Sequence, residues 1–446
     1  MNTPTSQSSL ETWVDWLLNL HNQEIDLGLE RIAKVAEKLS VQKPTPFVIT
    51  VAGTNGKGSS VAMLSSIYAQ AGLTVGTYTS PHIHCFSERI KINGHPVSKQ
   101  QIVDAFVTIE QARGEIKLTY FEFSTLAALV IFQQAGLDLI VLEVGLGGRL
   151  DAVNVVDADM ALVTAIDIDH IDWLGDDRAQ IAIEKAGIMR AERMAVCSDP
   201  TVPATLIEYA DKLDAKLTLL ARDYNYQALS KDSWSMTSSV SPQARSYCRP
   251  ALSGDFQLQN AAGVLEVVAR LQDRFKVSDE QINQGLQQVS HAGRMEWRDL
   301  DGQAWLIDVA HNPQSAQVLA RSLQQIDAEN TSIQQSVPRV AVFSALDDKD
   351  MLPMVEAVAP FVDYWLLADL QIPRASSIVK LEQILINAGV ASEQVQACST
   401  IDQAVKLAAQ KKDNQVLVWG SFFTVAQALQ TWQNLGRETA SISPVY

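Results

Sequence analysis

Apolar runs of strand length alternate with amphipathic runs of helix length along most of this chain. The strand-type runs are Phe47–Ala52, Val75–Thr79, Leu139–Val144, Met160–Ile166 and Ala195–Cys197. Helix-type runs include Ser59–Ala71, Lys99–Gln111, Phe121–Gln134 and Asp177–Met189. Strands that run parallel need long crossovers, and amphipathic helices supply them while covering the sheet faces. The alternation therefore predicts an α/β fold with a mostly parallel sheet and helices on both sides. From Leu217 to Arg249 the pattern changes to aromatics, Ser and Thr among turn residues, which predicts short antiparallel strands or a long hairpin. Helices over Phe256–Leu271 and Asp279–Val289 follow. A second βα series starts near Ala304, with strands Ala304–Val309, Arg339–Phe343, Tyr364–Ala368 and Gln415–Trp419. The segment Ser290 to Asp299 reads as the joint, and the polar stretch Asn330 to Ser336 as a loop. A chain of 446 residues is too long for one ordinary core, so two or three domains are expected.

Composition removes several functional classes. The formal net charge is −16, which repels nucleic-acid phosphate and anionic membrane, so neither is an expected partner. A small anionic substrate remains possible if cations are placed locally. No apolar run approaches the roughly 20 residues of a membrane span, and Leu126 to Phe132 reads as part of a buried helix. The N-terminus lacks a basic start followed by an apolar segment, so no export signal is expected. Cys85, Cys197, Cys248 and Cys398 are far apart with no C-x-x-C pair. That spacing argues against a zinc site or disulfide framework and fits a cytoplasmic protein.

In open α/β sheets, ligands bind beyond the carboxyl ends of the strands. The polar residues found there are therefore the candidates for chemistry. The stretch "ITVAGTNGKGSSVAML", Ile49 to Leu64, joins a strand, a glycine turn, Lys57 and a helix start. Backbone N–H groups at a helix start hold phosphate, glycines allow close approach, and a lysine adds a point charge. The usual spacing of a phosphate-binding loop is not met, however, and a plain βα turn reads equally well. Thr79, Ser80 and His82 follow the second strand. Glu143 ends the third, before "VGLGGRLD". Asp169 and His170 follow the fourth. A carboxylate, an imidazole and a hydroxyl could hold a hard divalent cation, although histidine suits Mn²⁺ better than Mg²⁺. Taken singly, Glu143 also reads as a strand-end carboxylate over the glycine turn, and His170 as a loop histidine among Asp167, Asp169 and Asp172. Lys185, late in a helix, reads as a lysine favoured by the helix dipole. In "WLIDVAHNPQSAQVL", Asn312 and Pro313 read as N-cap and first helical residue, with Asp308 and His311 at the strand's end.

Taken together, these stretches resemble the Mur ligase superfamily, and closely its folylpolyglutamate synthase/dihydrofolate synthase family. The resemblance runs through "IDLGLERI", "VAGTNGKGSS", "TSPHI", "SERIKING", "LTYFEFST", "LEVGLGGRLDAVN", "DHIDWLG", "EKAGI", "DVAHNP" and "WGSFFTVA", in that order. It implies an ATP-binding domain over 1–293, a Rossmann-like glutamate-ligase domain over 294–446, and an active site between them. The implied reaction joins L-glutamate to 7,8-dihydropteroate, and then to reduced folates, at the expense of ATP. Carried onto this chain, Thr54, Asn55, Gly56, Lys57, Gly58 and Ser59 would cradle the ATP phosphates. Asn260, Arg294 and Asp308 would make further ATP contacts. Ser80, Glu143 and His170 would bind Mg²⁺, with Mn²⁺ a possible substitute. Lys185 would be carbamylated and serve a second ion, which replaces the reading of it as a dipole-favoured lysine. Lys57, His170 and the carbamylated Lys185 would carry the catalysis. The pterin side would use Asp26, Leu27, Thr119, Tyr120, Phe121, Glu122, Leu150, Asp151 and Ala152. Ser59 stands where the family more often has Thr, and "GRMEW" departs from the usual sequence after its arginine. The family's usual state is a cytoplasmic monomer. The rivals are a monofunctional folylpolyglutamate synthase, another Mur-type peptide ligase, and a non-enzymatic nucleotide switch, which would have no need of Glu143, His170 and Lys185 together.

Overall fold

The computed structural model describes residues 3–21, 23, 25–332 and 337–434. The chain divides into two compact units, one of residues 1–251 and 257–290, the other of 252–256 and 291–446.

The first unit is built on eight strands. They are β1 (Phe47–Ala52), β2 (Val75–Tyr78), β3 (Ile90–Ile92), β4 (His95–Pro96), β5 (Leu139–Glu143), β6 (Met160–Val163), β7 (Met194–Cys197) and β8 (Lys216–Leu219). Their order is β4-β3-β2-β5-β1-β6-β7-β8. Six of them, from β2 to β8, are parallel, and the β3–β4 hairpin adds antiparallel to β2. Every residue of β1, β2, β5 and β6 is buried, as expected for strands covered on both faces. β1 lies between β5 and β6, so the chain leaves the sheet in opposite directions around it. That is the switch point at which open α/β sheets form a crevice.

The helix Tyr120–Gln134 explains the apolar run in the sequence. Its positions from Glu122 to Phe132 are all buried, against Trp16, Phe106 and the sheet. Each Leu or Phe so buried contributes about 1.5–3 kcal/mol. A capping box starts this helix, with the Thr119 hydroxyl accepting from Glu122 N–H and the Glu122 carboxylate from Thr119 N–H. Among the described residues no helix is long and apolar enough to cross a membrane.

The region read as antiparallel strands is in part just that. β9 (Tyr224–Ala228), β10 (Ser233–Ser238) and β11 (Ser241–Cys248) form a small antiparallel sheet. Its leading segment is instead β8, the last parallel strand of the main sheet.

The second unit holds β12 (Glu296–Leu300), β13 (Gln303–Ile307), β14 (Arg339–Phe343), β15 (Tyr364–Ala368), β16 (Val395–Cys398) and β17 (Gln415–Trp419). The order is β12-β13-β17-β14-β15-β16, parallel except for β12. β12 overlaps the end of the segment read as a joint. It is an edge strand paired with β13, and its mixed polar sequence hides it. A loop is expected from Asn330, but the helix Pro313–Ser332 runs through the first residues of that stretch, and residues 333–336 lie outside the described ones. Asn312 caps that helix, its side chain accepting from Ser315 N–H at 2.9 Å, with Pro313 first in the helix.

Candidate active site

The loop after β1 is shaped for close approach. Gly53 has φ 151° and Gly56 φ 92°. A Cβ on Gly53 would stand 1.8 Å from Thr164 Oγ1, and one on Gly56 would stand 2.3 Å from Asn260 Oδ1. Only glycine fits either place. The loop is pinned to the chain after β6: Thr54 N–H donates to Ala165 O, and the Thr54 hydroxyl donates to Asp167 O at 2.8 Å. Thr164 Oγ1 donates to Asn55 O at 2.7 Å. That pairing ends β6 at Val163, short of the Ile166 read from the sequence.

The helix Lys57–Gln70 starts at Gly56 with no side-chain cap, so its leading N–H groups form an anion-binding end. Lys57 Nζ donates to the carbonyls of Gly53 and Thr54, at 3.0 and 3.1 Å, and so lies over the loop. Asn260 donates to Gln257 Oε1, and Gln257 Nε2 donates to Ser59 Oγ at 3.3 Å. Asn260 and the loop are thus one packed piece, including the Asn55–Gly58 stretch.

The neighbouring strands carry the other groups. Glu143 ends β5 opposite Val51 of β1 and is buried, 4% exposed. Its Oε2 accepts from Ser80 N–H at 3.1 Å, which joins the ends of β2 and β5. His170 adopts a left-handed backbone, φ 55°, ahead of a short helical turn. Its Nε2 lies 4.0 Å from Asp169 Oδ2. Among the described residues, no three His, Cys, Asp or Glu side chains converge on one point. Ser80, through its backbone N–H, and the Glu143 carboxylate meet where β2 and β5 end, and a hydroxyl and a carboxylate are donor types that suit a hard divalent cation.

Lys185 is buried, 3% exposed, although the sequence reads as a helix end. The glycine turn after β5 covers it: a Cβ on Gly148 would stand 3.1 Å from Lys185 Cα, and Arg149 N–H bonds to Glu184 O. Burial brings the Lys185 amine down to about 7, and the nearby Lys57 charge acts in the same direction. Burial also pushes Asp151 up to about 6, against the pull of backbone donors and Lys57. Asp151 accepts from Leu146 N–H and Val153 N–H, so it holds the turn ahead of Ala152.

The residues assigned to the pterin side come together in the first unit. Arg31 Nη1 lies 2.8 Å from Asp26 Oδ2 and Nη2 lies 3.4 Å from Glu122 Oε1, so it ties Asp26 to the start of the helix at Tyr120. Gly28 N–H, beside Leu27, bonds to Leu150 O. A Cβ on Gly145 would stand 2.6 Å from Phe121 Cζ, so Phe121 packs on the glycine turn. Tyr120 meets Phe86 edge to face at 6.0 Å. Arg31, which joins Asp26 to Glu122, and Arg89, which lies 5.2 Å from the centre of the Tyr120 ring, carry no signal in the sequence that sets them apart from surface arginines. Each sits in a Glu–Arg pair that reads as a surface ion pair. His82 is not poised as a base: burial and Arg89 lower it to about 4, and its Nδ1 accepts from Arg89 Nε at 2.8 Å.

In the second unit, Asp308 is buried after β13 and accepts from Met295 N–H at 2.9 Å and Ala310 N–H at 2.7 Å. Burial raises it, while Arg294 pulls the other way. The Arg294 guanidinium lies 5.0 Å from the centre of the Phe422 ring, where the helix Phe422–Asn434 begins.

Comparison with known proteins agrees with this geometry. Residues 51–268 match the Mur ligase middle domain, and residues 293–422 match the Mur ligase glutamate ligase domain. The dihydrofolate synthase/folylpolyglutamate synthase of Escherichia coli is 39% identical over 428 residues, 96% of each chain. The protein of that name from Bacillus subtilis is 31% identical over 95% of this chain and 98% of its own. The structure of Escherichia coli FolC in complex with DHPP and ADP matches with TM-score 0.88 and 37% identity, covering 98% of this chain and all of that one. A bifunctional folylpolyglutamate synthase/dihydrofolate synthase with Mn, AMPPNP and L-glutamate bound matches with TM-score 0.87 and 37% identity, over 97% of this chain and 100% of that one. By sequence along nearly its whole length, and by fold, the chain belongs to the dihydrofolate synthase/folylpolyglutamate synthase family of Mur ligases.

Proposed function

We propose that this chain is an ATP-dependent ligase that joins L-glutamate to 7,8-dihydropteroate and lengthens reduced folates by the same chemistry. One observation carries the reading: a glycine loop bearing Lys57 sits at the switch point of the sheet, beside the buried Glu143 and within electrostatic reach of Lys185. A carboxylate is a poor electrophile, and an amine does not displace oxide from it. Transfer of the terminal phosphoryl of ATP to the acid gives an acyl phosphate and ADP. The unprotonated amine of glutamate then attacks the acyl carbon, and phosphate leaves with the bonding pair. The protein's part is positioning and charge stabilisation.

Thr54, Asn55, Gly56, Gly58 and Ser59 offer the cradle, and Lys57 turns from its own loop carbonyls to the migrating phosphoryl. Asn260, Arg294 and Asp308 are assigned to the nucleotide. Ser80, Glu143 and His170 are the residues that would hold Mg²⁺, one ion or two, with Mn²⁺ an acceptable substitute. The ion supplies positive charge to the phosphate oxygens. Lys185, buried and close to half neutral near pH 7, suits reaction with CO₂ to a carbamate, whose carboxylate would face a second ion. Asp26, Leu27, Thr119, Tyr120, Phe121, Glu122, Leu150, Asp151 and Ala152 are assigned to the pterin. A monomer in the cytoplasm is the proposed working form.

ATP hydrolysis measured with and without L-glutamate and dihydropteroate tests the reading. Hydrolysis that needs both is expected, and hydrolysis indifferent to both would discard it. Mass spectrometry of products from dihydropteroate and from tetrahydrofolate, run separately, distinguishes a bifunctional enzyme from one restricted to folates.

A further inference from the structure

The substrate side of the first unit contains a buried cation with no carboxylate of the described residues in ion-pair contact. Arg89 closes the short turn Phe86–Arg89 and is 6% exposed. Its Nε donates to His82 Nδ1 at 2.8 Å. Its guanidinium lies over two rings, 5.2 Å from the centre of Tyr120 and 5.8 Å from that of Phe86. Among the described residues no carboxylate stands within ion-pair distance of it. The acids of the region are engaged elsewhere. Glu88, next in sequence, accepts from the N–H groups of Ile83, His84 and Cys85 at 2.9, 2.7 and 2.7 Å. Asp151 accepts from Leu146 and Val153, and Glu122 faces Arg31 and Thr119 N–H.

Buried charges are ordinarily paired, because an ion taken from water without a partner is costly. Aromatic faces ease that cost only in part. The Tyr120 hydroxyl also bonds Arg89, and neither terminal nitrogen is enclosed without a partner. A guanidinium fork held against two rings, with no carboxylate of the described residues upon it, is a receptor for a planar two-oxygen anion. Phosphate has its own receptor in the Gly53–Ser59 loop with Lys57.

We propose that Arg89 is a carboxylate-binding residue of the acid-substrate site, its fork receiving a carboxylate of the ligand while Tyr120 and Phe86 hold the guanidinium in plane. The proposal rests on the ligase reading above. The carboxylate has two possible sources: the benzoate group of dihydropteroate, or the α-carboxylate of the glutamyl end of a reduced folate.

Equilibrium binding, without turnover, tests this on the full chain. Dihydropteroate is compared with its neutral carboxamide, and a reduced folate with its α-monoamide, on the wild type, Arg89→Gln and Arg89→Lys. The wild type is expected to prefer the acid by about ten-fold or more in at least one pair. Arg89→Gln removes that preference while the amide binds about as before, and Arg89→Lys keeps part of it. The pair that responds identifies the source. A preference unchanged in both pairs, or acid and amide weakened alike, overturns the proposal, the latter because it marks a purely structural arginine. If Arg89→Gln does not fold, Arg89→Lys carries the same comparison, since a single ammonium cannot reproduce the fork. If the wild type binds neither acid, the ligase reading itself fails and this inference falls with it.

Discussion

At the scale of single residues, burial decides what the motifs do. Lys185 follows Glu184 near a helix end, and nothing in "EKAGI" shows that Gly148 will close over it. Its meaning came from the resemblance; its burial came from the fold. The consequence is measurable. The folded amine sits at about 7 against an ordinary 10.5, so between those values the unfolded chain binds the proton and the folded chain does not. In CO₂-depleted buffer, stability is therefore expected to rise with pH from about 7 toward 10.5. Lys185→Met should flatten that rise in denaturant titrations run at several pH values, and an unchanged slope would assign the pH dependence elsewhere. Gly56 gives a second test. A side chain there meets both the left-handed backbone, which costs about 1–2 kcal/mol, and the Asn260 amide. Gly56→Ala should raise the KM for ATP by about ten-fold, while Gly114→Ala, a positive-φ glycine with open space around it, should leave that KM unchanged.

At the scale of elements, strands inside the sheets were legible and strands at the edges were not. β1, β5, β6, β14 and β17 are buried or nearly so, and their apolar runs announce them. The edge strands β4, β12 and β16, and β3 of the hairpin that ends in β4, are short or half polar and carry no apolar run to announce them. The helices Leu10–Leu17 and Glu30–Lys38 were also missed: their packing partners, Phe106 and Phe123 among them, lie far along the chain. Most of the candidate site was readable because it follows central strands. The braces behind it were not. Arg178, at the start of the helix that carries Lys185, pairs with the buried Asp199 after β7 and donates to Ile166 O. Asp199 also accepts from Ile166 N–H at 2.7 Å. This clamp fixes both ends of the segment holding Asp169 and His170. Asp199→Ala strands the Ile166 N–H, while Arg178, a third exposed, keeps its bonds to Ile166 O and Thr201, so the change should cost about 1–3 kcal/mol. That loss should appear as a lower denaturant midpoint at unchanged m-value. A midpoint equal to the wild type would show the clamp to be idle.

At the scale of the whole molecule, two compact units with separate cores make a single melting temperature an incomplete description. A ligand that binds only the folded loop stabilises the unit carrying it by about 2.7 kcal/mol at a hundred times its Kd. A non-hydrolysable ATP analogue should therefore raise the transition of the first unit, and Lys57→Ala should lose most of the rise. A shift of equal size in the Lys57→Ala protein would remove the lysine from the nucleotide site. Under the proposed reading, a chain of net charge −16 needs local cations such as Lys57 and Arg89 to admit small anions. The sharpest question is whether the acid itself takes up the phosphoryl group. Dihydropteroate labelled with heavy oxygen in its carboxylate, turned over with ATP and L-glutamate, should yield inorganic phosphate carrying one labelled oxygen per amide formed. Unlabelled phosphate released alongside the amide product would mean that no acyl phosphate forms.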